Sequence, residues 1–361
     1  MQLWTQTVAS PRRTMRRAAA AEEAGWDGLC VVDSQNVSGD AFVALALAAT
    51  TTDRLGLGTA VGNSVTRAAA VNASAALSVD SVSDGRMTFG LGRGDSALAH
   101  LGRAPGRVQH FETHLRHVQA YLRGEDVPFS EIEMADDVAP PIDEMELASG
   151  PGASRIGWVA KDRKVPVEVA ATGPKVIGIA AEHAERVMFA VGADTERLAW
   201  GIDVARAARR DAGLDPDGVE FGAYVNCVCH PDLDTARELI KGAVSIFARF
   251  SVMHGTTVGP VSAETERSLR VLHDAYDMSG HSRNESRQAA TLTPDFIDSF
   301  GIVGPPDRVL ARFEQLAALG LDKVVVAAQF QLDETPEGVA SKELMEAEVV
   351  PAVSALTAGR S

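Results

Sequence analysis

One stretch of the chain, residues 165–182, reads VPVEVAATGPKVIGIAAE. Its first seven residues form a short apolar run typical of a β-strand buried in a sheet. Gly173 and Pro174 then mark a turn, and the Ala-rich residues after them have helical periodicity. Proline suits the first helical position because its missing N–H would have no partner there. The stretch therefore predicts one strand, a tight turn and one helix.

The same pattern, a short apolar run followed by a longer helical run, recurs along the chain. Such repetition is typical of βα units that build a parallel sheet. Eight units in 361 residues most simply close into a (β/α)8 TIM barrel, with a doubly wound open sheet as the alternative fold. The predicted strands are 3–8, 27–33, 55–61, 86–92, 165–171, 186–192, 219–229 and 322–328.

Two segments interrupt the alternation. Residues 125–164 are rich in Asp, Glu, Pro, Gly and Ser, which is too polar for a strand and too broken for a helix. Residues 251–300 carry further helical turns after the seventh predicted strand. We therefore expect a single barrel domain over 1–361, with these two insertions capping its C-terminal face.

Composition and charge restrict the classes of partner. Lys and Arg number 34 and Asp and Glu number 49, so the formal net charge is −15. That sign disfavours nucleic acid and anionic membrane surfaces as partners, and no apolar run is long enough to span a bilayer. The cysteines, Cys30, Cys227 and Cys229, are odd in number, which favours a reducing compartment. We expect a cytoplasmic protein that binds small molecules, with no nucleic acid and no membrane as partner.

In a (β/α)8 barrel, functional side chains lie at the carboxyl ends of the strands. The residues that end or follow the predicted strands are mostly polar or glycine-rich, so we expect them to meet at one end of the barrel. The candidate site residues are Asp33, Ser34, Ala60, Val61, Asn63, Gly94, Asp95, Ser96, Thr172, Gly173, Pro174, Lys175, Gly192 and Ala193.

Two of these candidates have alternative interpretations. Gly173 precedes a helix whose free N–H groups and dipole favour an anion, and glycine lets a phosphate approach closely; otherwise it makes only the turn. Asp95 either caps the next helix or acts on a substrate or cofactor. Arg67 and Arg93, near the strand ends, either meet an acidic ligand or pair with surface carboxylates.

Three histidines, His110, His114 and His117, have a spacing that places them on one helical face, and this spacing can hold zinc. The metalloprotease pattern fails because Phe111, not glutamate, follows His110, and Arg116 would repel a cation. We therefore expect surface histidines and no metal site.

Five stretches together resemble a known superfamily. They are EAGWDGLCVVD (23–33), LGLGTAV (55–61), DGRMTFGLGRGDSALA (84–99), VPVEVAATGPK (165–175) and GIVGPP (301–306). They are similar to the bacterial luciferase-like superfamily of flavin- and deazaflavin-dependent oxidoreductases, over nearly the whole chain. The runs GRGDSALA (92–99) and DSQN (33–36) resemble the branch related to methylenetetrahydromethanopterin reductase, which uses coenzyme F420.

The resemblance implies a (β/α)8 barrel, usually homodimeric, with the ring of F420, or of FMN as the alternative, across the strand ends. It implies a phosphate site formed by residues 173–175, with Gly192 and Ala193 beside it. Many relatives have a non-proline cis peptide bond at the end of the third strand, and the matching bond here joins Ala60 and Val61.

Two departures from the family pattern bear on the substrate. Glucose-6-phosphate dehydrogenases of this superfamily have a histidine where this chain has Ser34, and a basic phosphate-binding residue where it has Ala193. The resemblance therefore disfavours sugar phosphates and makes Asp95 the better candidate for a proton donor or acceptor. Asp33 and Ser34 are the other catalytic candidates.

We predict an oxidoreductase that transfers a hydride between C5 of F420 and a small organic substrate. One alternative is an FMN-dependent monooxygenase built on the same scaffold. The other, from a different class, is a flavin-binding barrel without catalytic activity.

Overall fold

The computed structural model describes residues 1–159, 163–253 and 255–358. Positions 160–162 of the first predicted insertion and position 254 of the second lie outside the described residues, as do positions 359–361 of the predicted domain. Within the described ranges, no helix is both long enough and apolar enough to cross a membrane.

Eight parallel strands alternate with helices and close into a barrel, which confirms the predicted (β/α)8 fold. The strands are β1 (Gln2–Val8), β2 (Gly28–Val32), β3 (Gly56–Thr59), β4 (Gly62–Asn63), β5 (Met87–Gly92), β6 (Val167–Ala171), β7 (Arg186–Phe189), β8 (Glu220–Cys229), β9 (Ile302–Gly304) and β10 (Lys323–Ala327). The barrel closes because β10 pairs with both β1 and β8. The short strands β4 and β9 pair with the ends of β5 and β8.

The helices begin where the sequence provides start signals. Side chains of Asp40, Asp194 and Asp232 accept first-turn N–H groups, and five helices have proline in the first turn. The helices are α1 (Pro11–Glu23), α2 (Ala41–Ala49), α3 (Ala69–Val82), α4 (Ser96–Ala99), α5 (Val108–Arg123), α6 (Pro174–His183), α7 (Thr195–Asp211), α8 (Leu233–Phe250), α9 (Ala263–Ala275), α10 (Pro294–Phe300), α11 (Pro306–Ala318), α12 (Pro336–Leu344) and α13 (Val350–Ala358).

Most strand ends differ from their predicted bounds by one or two residues, and three departures bear on the shape of the barrel. The strand predicted over 55–61 is split into β3 and β4 around the peptide bond between Ala60 and Val61, which is cis. The strand predicted over 186–192 ends at Phe189, and Gly192 beyond it has a φ of +86°, outside the extended region. β9 was not predicted, since three residues are too few to show a strand periodicity.

The amino-terminal end of the barrel lumen holds a buried ion pair. Nζ of Lys323 lies 2.8 and 3.0 Å from the two carboxylate oxygens of Glu168, whose other partner is Arg186. The side chain of Lys323 is 0% exposed and that of Glu168 is 3% exposed. Because Glu168 lies on β6 and Lys323 on β10, the pair joins two strands that are not neighbours in the barrel.

The ring of Trp4 lies directly on this ion pair. Its centroid is 3.3 Å from Nζ of Lys323, which is a cation–π contact. A Cβ on Gly56 would lie 2.5 Å from the ring, and one on Gly28 would lie still closer, so only glycine leaves room for the indole. The ring belongs to the apolar cluster of the lumen, which also contains Met188.

The first insertion runs along the outside of α5. His117 of this helix lies 3.1 Å from Glu131, and the hydroxyl of Tyr121 donates to Ser154 at 2.8 Å. Glu133 of the same segment lies 2.9 Å from His110, whose other ring nitrogen is 2.8 Å from the carbonyl of Ser64 in the loop after β4. The cap predicted for residues 125–164 stays a prediction.

The second insertion lies at the C-terminal face of the barrel. Arg197, in the first turn of α7, donates to Ser251 Oγ and to the carbonyl of Val258, both at 2.9 Å. These bonds tie the start of the insertion to the loop that follows β7. The segment therefore lies where the cap was predicted.

Replacing Lys323 by Met should destabilise the fold, because Glu168 would lose a buried partner and keep its charge. We expect a loss of about 3 to 5 kcal/mol in the free energy of unfolding, measured by urea denaturation. The control is Lys241→Met, which removes a pair with Glu238 on the surface of α8 and should cost less than about 1 kcal/mol. Equal losses in the two variants would contradict this account.

Candidate functional site

An apolar floor closes the carboxyl end of the barrel lumen. The side chains of Val61 and Ala170 pack on the lumen cluster beside Ala60, and Phe247 near the end of α8 packs on the same cluster. The ring of Phe247 lies 6.4 Å from that of Tyr224 on β8. The last turn of α8 therefore reaches the mouth of the barrel.

The bond between Ala60 and Val61 is cis, as predicted from the family resemblance. Glycines on the neighbouring strand make room for this bend. A Cβ on Gly92 would lie 2.9 Å from the side chain of Val61, and one on Gly90 would meet the carbonyl of Thr59. Because the glycines clear this space, Val61 and Ala170 share the floor of the mouth.

The start of α6 offers an open cradle for an anion. Gly173 is the N-cap residue, and the first bond to its carbonyl comes from the N–H of Ile177. A Cβ on Gly173 would meet only Val258, at 3.8 Å, so the space before the helix is open. Thr172 lies beside it, with its hydroxyl 3.4 Å from the carbonyl of Ala190. Such a helix start binds phosphate through its N–H groups, and the exposed Lys175 adds a positive charge.

Gly192 and Ala193, which were predicted to lie beside this phosphate site, pack against Phe300 and Arg312. The N–H of Ala193 donates to the carbonyl of Phe300 at 2.7 Å, and its own carbonyl accepts from Arg312 at 2.8 Å. A Cβ on Gly192 would lie 2.8 Å from the Phe300 ring. The backbone N–H of Ala193 therefore already has a partner within the protein, and the place of Gly192 and Ala193 beside the phosphate stays a prediction.

Asp33 is buried at the end of β2 and paired with Arg67. The same guanidinium reaches Asp40, the N-cap residue of α2, at 2.8 Å. Burial raises the pKa of the Asp33 carboxyl, and the charge of Arg67 acts against this shift. Of the two predicted roles of Arg67, the structure shows pairing with carboxylates. Arg93 instead donates through Nε to the carbonyl of Gly106 at 2.7 Å.

Two hydroxyl groups and a tight turn complete this side of the mouth. Oγ of Ser34 lies 3.2 Å from Oγ of Ser96, so the predicted candidates of two loops meet. The side chain of Asn63 accepts the N–H groups of Val65 and Thr66 at 2.9 Å and thus shapes its own loop. Gly94 has a φ of +84°, a conformation that favours glycine.

Asp95 does not act as a helix cap in this structure. Its side chain accepts no N–H group of α4, and its Oδ2 pairs with Arg249 from the last turn of α8. The guanidinium of Arg249 lies 4.7 Å above the centroid of the Tyr276 ring. The hydroxyl of Tyr276 lies 2.8 Å from Nδ1 of His281. Asp95 therefore begins a chain of four polar side chains at the mouth.

Three members of this chain were missed by the sequence analysis. Arg249, Tyr276 and His281 lie in α8 and in the second insertion, more than 150 positions from Asp95. No local spacing links residues so far apart. Arg197 was also missed, because its partners Ser251 and Val258 are distant in the sequence. Its bonds to them hold the insertion in place, and burial lowers its pKa to about 10.

The histidines of α5 are used in packing. His110 lies between the carbonyl of Ser64 and the carboxylate of Glu133, and Nε2 of His114 is 3.2 Å from Nδ2 of Asn72. Burial lowers the pKa of His114 to about 4. In the part of the chain that the structure describes, no three His, Cys, Asp or Glu side chains are grouped to hold a metal ion.

Two cavities lie away from the mouth. One of about 470 Å³ is on the outside of the barrel, beside His117 and Glu185. The other, of about 310 Å³, is at the amino ends of the strands beside Trp4 and Arg186. Functional sites of (β/α)8 enzymes lie at the carboxyl ends of the strands. We therefore place the candidate site at the mouth.

Comparison with known proteins identifies the family of this chain. The profile of the luciferase-like monooxygenase family matches residues 2–323. A 5,10-methylenetetrahydromethanopterin reductase of Methanolobus tindarius is 27% identical over 317 residues, which are 86% of this chain and 88% of that protein. The family profile thus matches the barrel from β1 to the first residue of β10.

Solved structures show the same fold. A coenzyme F420-dependent tetrahydromethanopterin reductase from Methanopyrus kandleri has a TM-score of 0.75 at 20% identity, with 98% of this chain and 99% of that chain covered. An F420-dependent secondary alcohol dehydrogenase, in complex with an F420–acetone adduct, has a TM-score of 0.70 at 16% identity, with 98% of each chain covered.

The family match decides the predictions of the family and of enzymatic activity. The relatives are oxidoreductases, which confirms that the protein is an enzyme and goes against the alternative of a barrel without catalytic activity. The match covers 322 of the 361 residues, from Gln2 to Lys323. The chain belongs to the luciferase-like monooxygenase family and is an oxidoreductase dependent on F420 or a flavin.

Proposed function

We propose that this enzyme uses F420 and transfers a hydride between its deazaflavin C5 and a small organic substrate bound at the barrel mouth. The open start of α6 beside an apolar floor carries this proposal. The reductase relatives support F420 as the cofactor, since the one from Methanopyrus kandleri is described as F420-dependent. The carbon that accepts or gives the hydride belongs to the substrate.

The residues at the mouth fit the two ends of such a cofactor. Val61, Ala170 and Phe247 form an apolar surface of the kind that a flat ring system packs against. Gly173 and the first turn of α6 offer N–H groups to a phosphate, and the open space before Gly173 admits it. When bound, F420 supplies or accepts a hydride at C5.

The polar residues at the mouth are carboxylates paired with arginines, and hydroxyl groups that lie close together. Asp33 is neutralised by Arg67, so its main effect is to fix the loop after β2. The hydroxyls of Ser34 and Ser96 can donate hydrogen bonds to a cofactor or substrate. Asp95, the predicted proton donor or acceptor, is held by Arg249.

An FMN-dependent monooxygenase is the second candidate function. The description of the matched family, a luciferase-like monooxygenase, supports it. The apolar floor and the phosphate cradle serve FMN equally well, because both cofactors carry a flat tricyclic ring and a phosphate. The relative affinity for F420 and FMN therefore separates the two candidates.

We further propose that the enzyme works as a homodimer in the cytoplasm. The free, buried cysteines Cys30, Cys227 and Cys229 are consistent with a reducing compartment. The outer residues of α2 and α3 include exposed Val43 and Val71, which a second subunit would cover.

The purified protein should bind F420 with a dissociation constant at least about tenfold lower than that for FMN. A tenfold ratio corresponds to about 1.4 kcal/mol, so the two absorbance titrations must be run side by side on one preparation. Equal affinities, or tighter binding of FMN, would move the assignment to the monooxygenase.

Replacing Gly173 by Val should weaken F420 binding by about tenfold or more, because the side chain would fill the space before the first-turn N–H groups of α6. The melting temperature should stay within a few degrees of that of the wild type. Gly152→Val is the control, since a Cβ there meets nothing within 4 Å. If Gly173→Val binds F420 as tightly as the control, the phosphate lies elsewhere.

A further inference from the structure

We propose that Tyr276, assisted by His281, transfers the proton that accompanies hydride transfer, and that Asp95 and Arg249 position it. This inference rests on the proposed function, and it assigns the proton to a side chain of the second insertion. Asp95, selected from the sequence for that role, becomes a positioning residue.

The geometry of the pair is that of a proton relay. Oη of Tyr276 and Nδ1 of His281 are 2.8 Å apart, which is hydrogen-bonding distance, and the planes of the two rings meet at 67°. Tyr276 and His281 are both partly exposed, so a substrate and solvent can reach them. Oη can thus exchange a proton on one side with a substrate and on the other with the imidazole.

Asp95 and Arg249 hold this relay against the barrel. Asp95 follows β5, a barrel strand, and pairs with Arg249, whose guanidinium covers the Tyr276 ring at 4.7 Å. Arg249 also lies 5.7 Å from the ring of Phe250. Oδ2 of Asp95 is thus occupied by Arg249, whereas among the described residues Oη of Tyr276 has only Nδ1 of His281 as its partner within 3 Å. Arg249 lies close to the Tyr276 phenol as well, where its charge favours the ionised form of the hydroxyl.

The electrostatic surroundings suit a phenol that keeps its proton until a substrate takes it. Burial raises the pKa of Tyr276 to about 12; the charge of Asp95 acts in the same direction, and Arg249 acts against it. Burial lowers the pKa of His281, with Arg249 and His100 acting in the same direction and Asp95 against it. At neutral pH both side chains are therefore uncharged.

The proton balance follows from these states. When a hydride forms a C–H bond at a neutral C=O or C=N carbon, the π bond breaks and its electron pair moves to the oxygen or nitrogen. That atom takes the Oη proton of Tyr276. Nδ1 of His281 returns a proton to Oη, and Nε2 takes one from solvent. The reverse reaction runs the same transfers backward, with a hydride leaving the carbon of an alcohol or amine.

The first test measures turnover of a panel of small ketones, aldehydes and imines with reduced F420, followed by variants on the best substrate. Tyr276→Phe should lower kcat by about 10² to 10⁴, the usual range for losing an acid–base group, and leave the F420 dissociation constant unchanged. Tyr121→Phe is the matched control: it removes the hydroxyl that donates to Ser154, far from the mouth, and should keep full activity.

The second test follows the phenol itself in the absence of cofactor. The chain has only three tyrosines, so the ionisation of Tyr276 can be isolated by difference. The near-ultraviolet pH titration of Tyr276→Phe is subtracted from that of the wild type and from that of Asp95→Asn. In Asp95→Asn, Arg249 is left unpaired beside the ring, and Tyr276 should ionise at lower pH than in the wild type. A residue with a merely structural role would not move this titration.

The outcomes separate the two levels of inference. Failure to bind F420 overturns the proposed function. Binding of F420 without reduction of any panel member, or a folded Tyr276→Phe variant as active as Tyr121→Phe, overturns the relay and leaves the cofactor assignment standing. An unchanged Tyr276 titration in Asp95→Asn overturns the positioning role of Asp95.

Discussion

Glu168 and Lys323 meet inside the barrel, where both side chains are buried, and the ring of Trp4 lies on the ammonium group. Two buried charges are tolerated only when each satisfies the other, so this contact fixes β6 relative to β10 across the lumen. The indole in turn requires glycine at Gly28 and Gly56. One interaction thus sets the lower layer of the barrel, on which the apolar cluster of the lumen is built.

The mouth of the barrel is formed by side chains at the carboxyl ends of the strands and by the last turn of α8. β6 carries Ala170 to the floor and leads directly to the cradle at Gly173, so one strand serves both ends of the proposed cofactor site. α8 then brings Phe247 to the floor and Arg249 to Asp95. The insertion after α8 is tied to α7 by Arg197, and α8 is tied to the loop after β5 by this ion pair, whose Arg249 also contacts Tyr276 of the insertion.

Local signals in the sequence were enough to predict the barrel and the strand, turn and helix that form the start of α6. The strand, turn and helix around Gly173 could be predicted because neighbouring residues alone determine them. The structure confirms all three. The hydrogen-bond partner of Ala193 could not be predicted, because its N–H donates to the carbonyl of Phe300, more than 100 residues away. The partner of Asp95 is likewise distant, and no spacing indicates it. The roles of the mouth residues in binding and catalysis stay predictions.

A crystal structure of the protein grown with F420 tests the central claim most directly. The account predicts density for the ring against Val61 and Phe247, and for the phosphate within hydrogen-bonding distance of the first-turn N–H groups of α6. Density for the cofactor in the cavity beside Trp4 and Arg186, at the opposite end of the barrel, would contradict it.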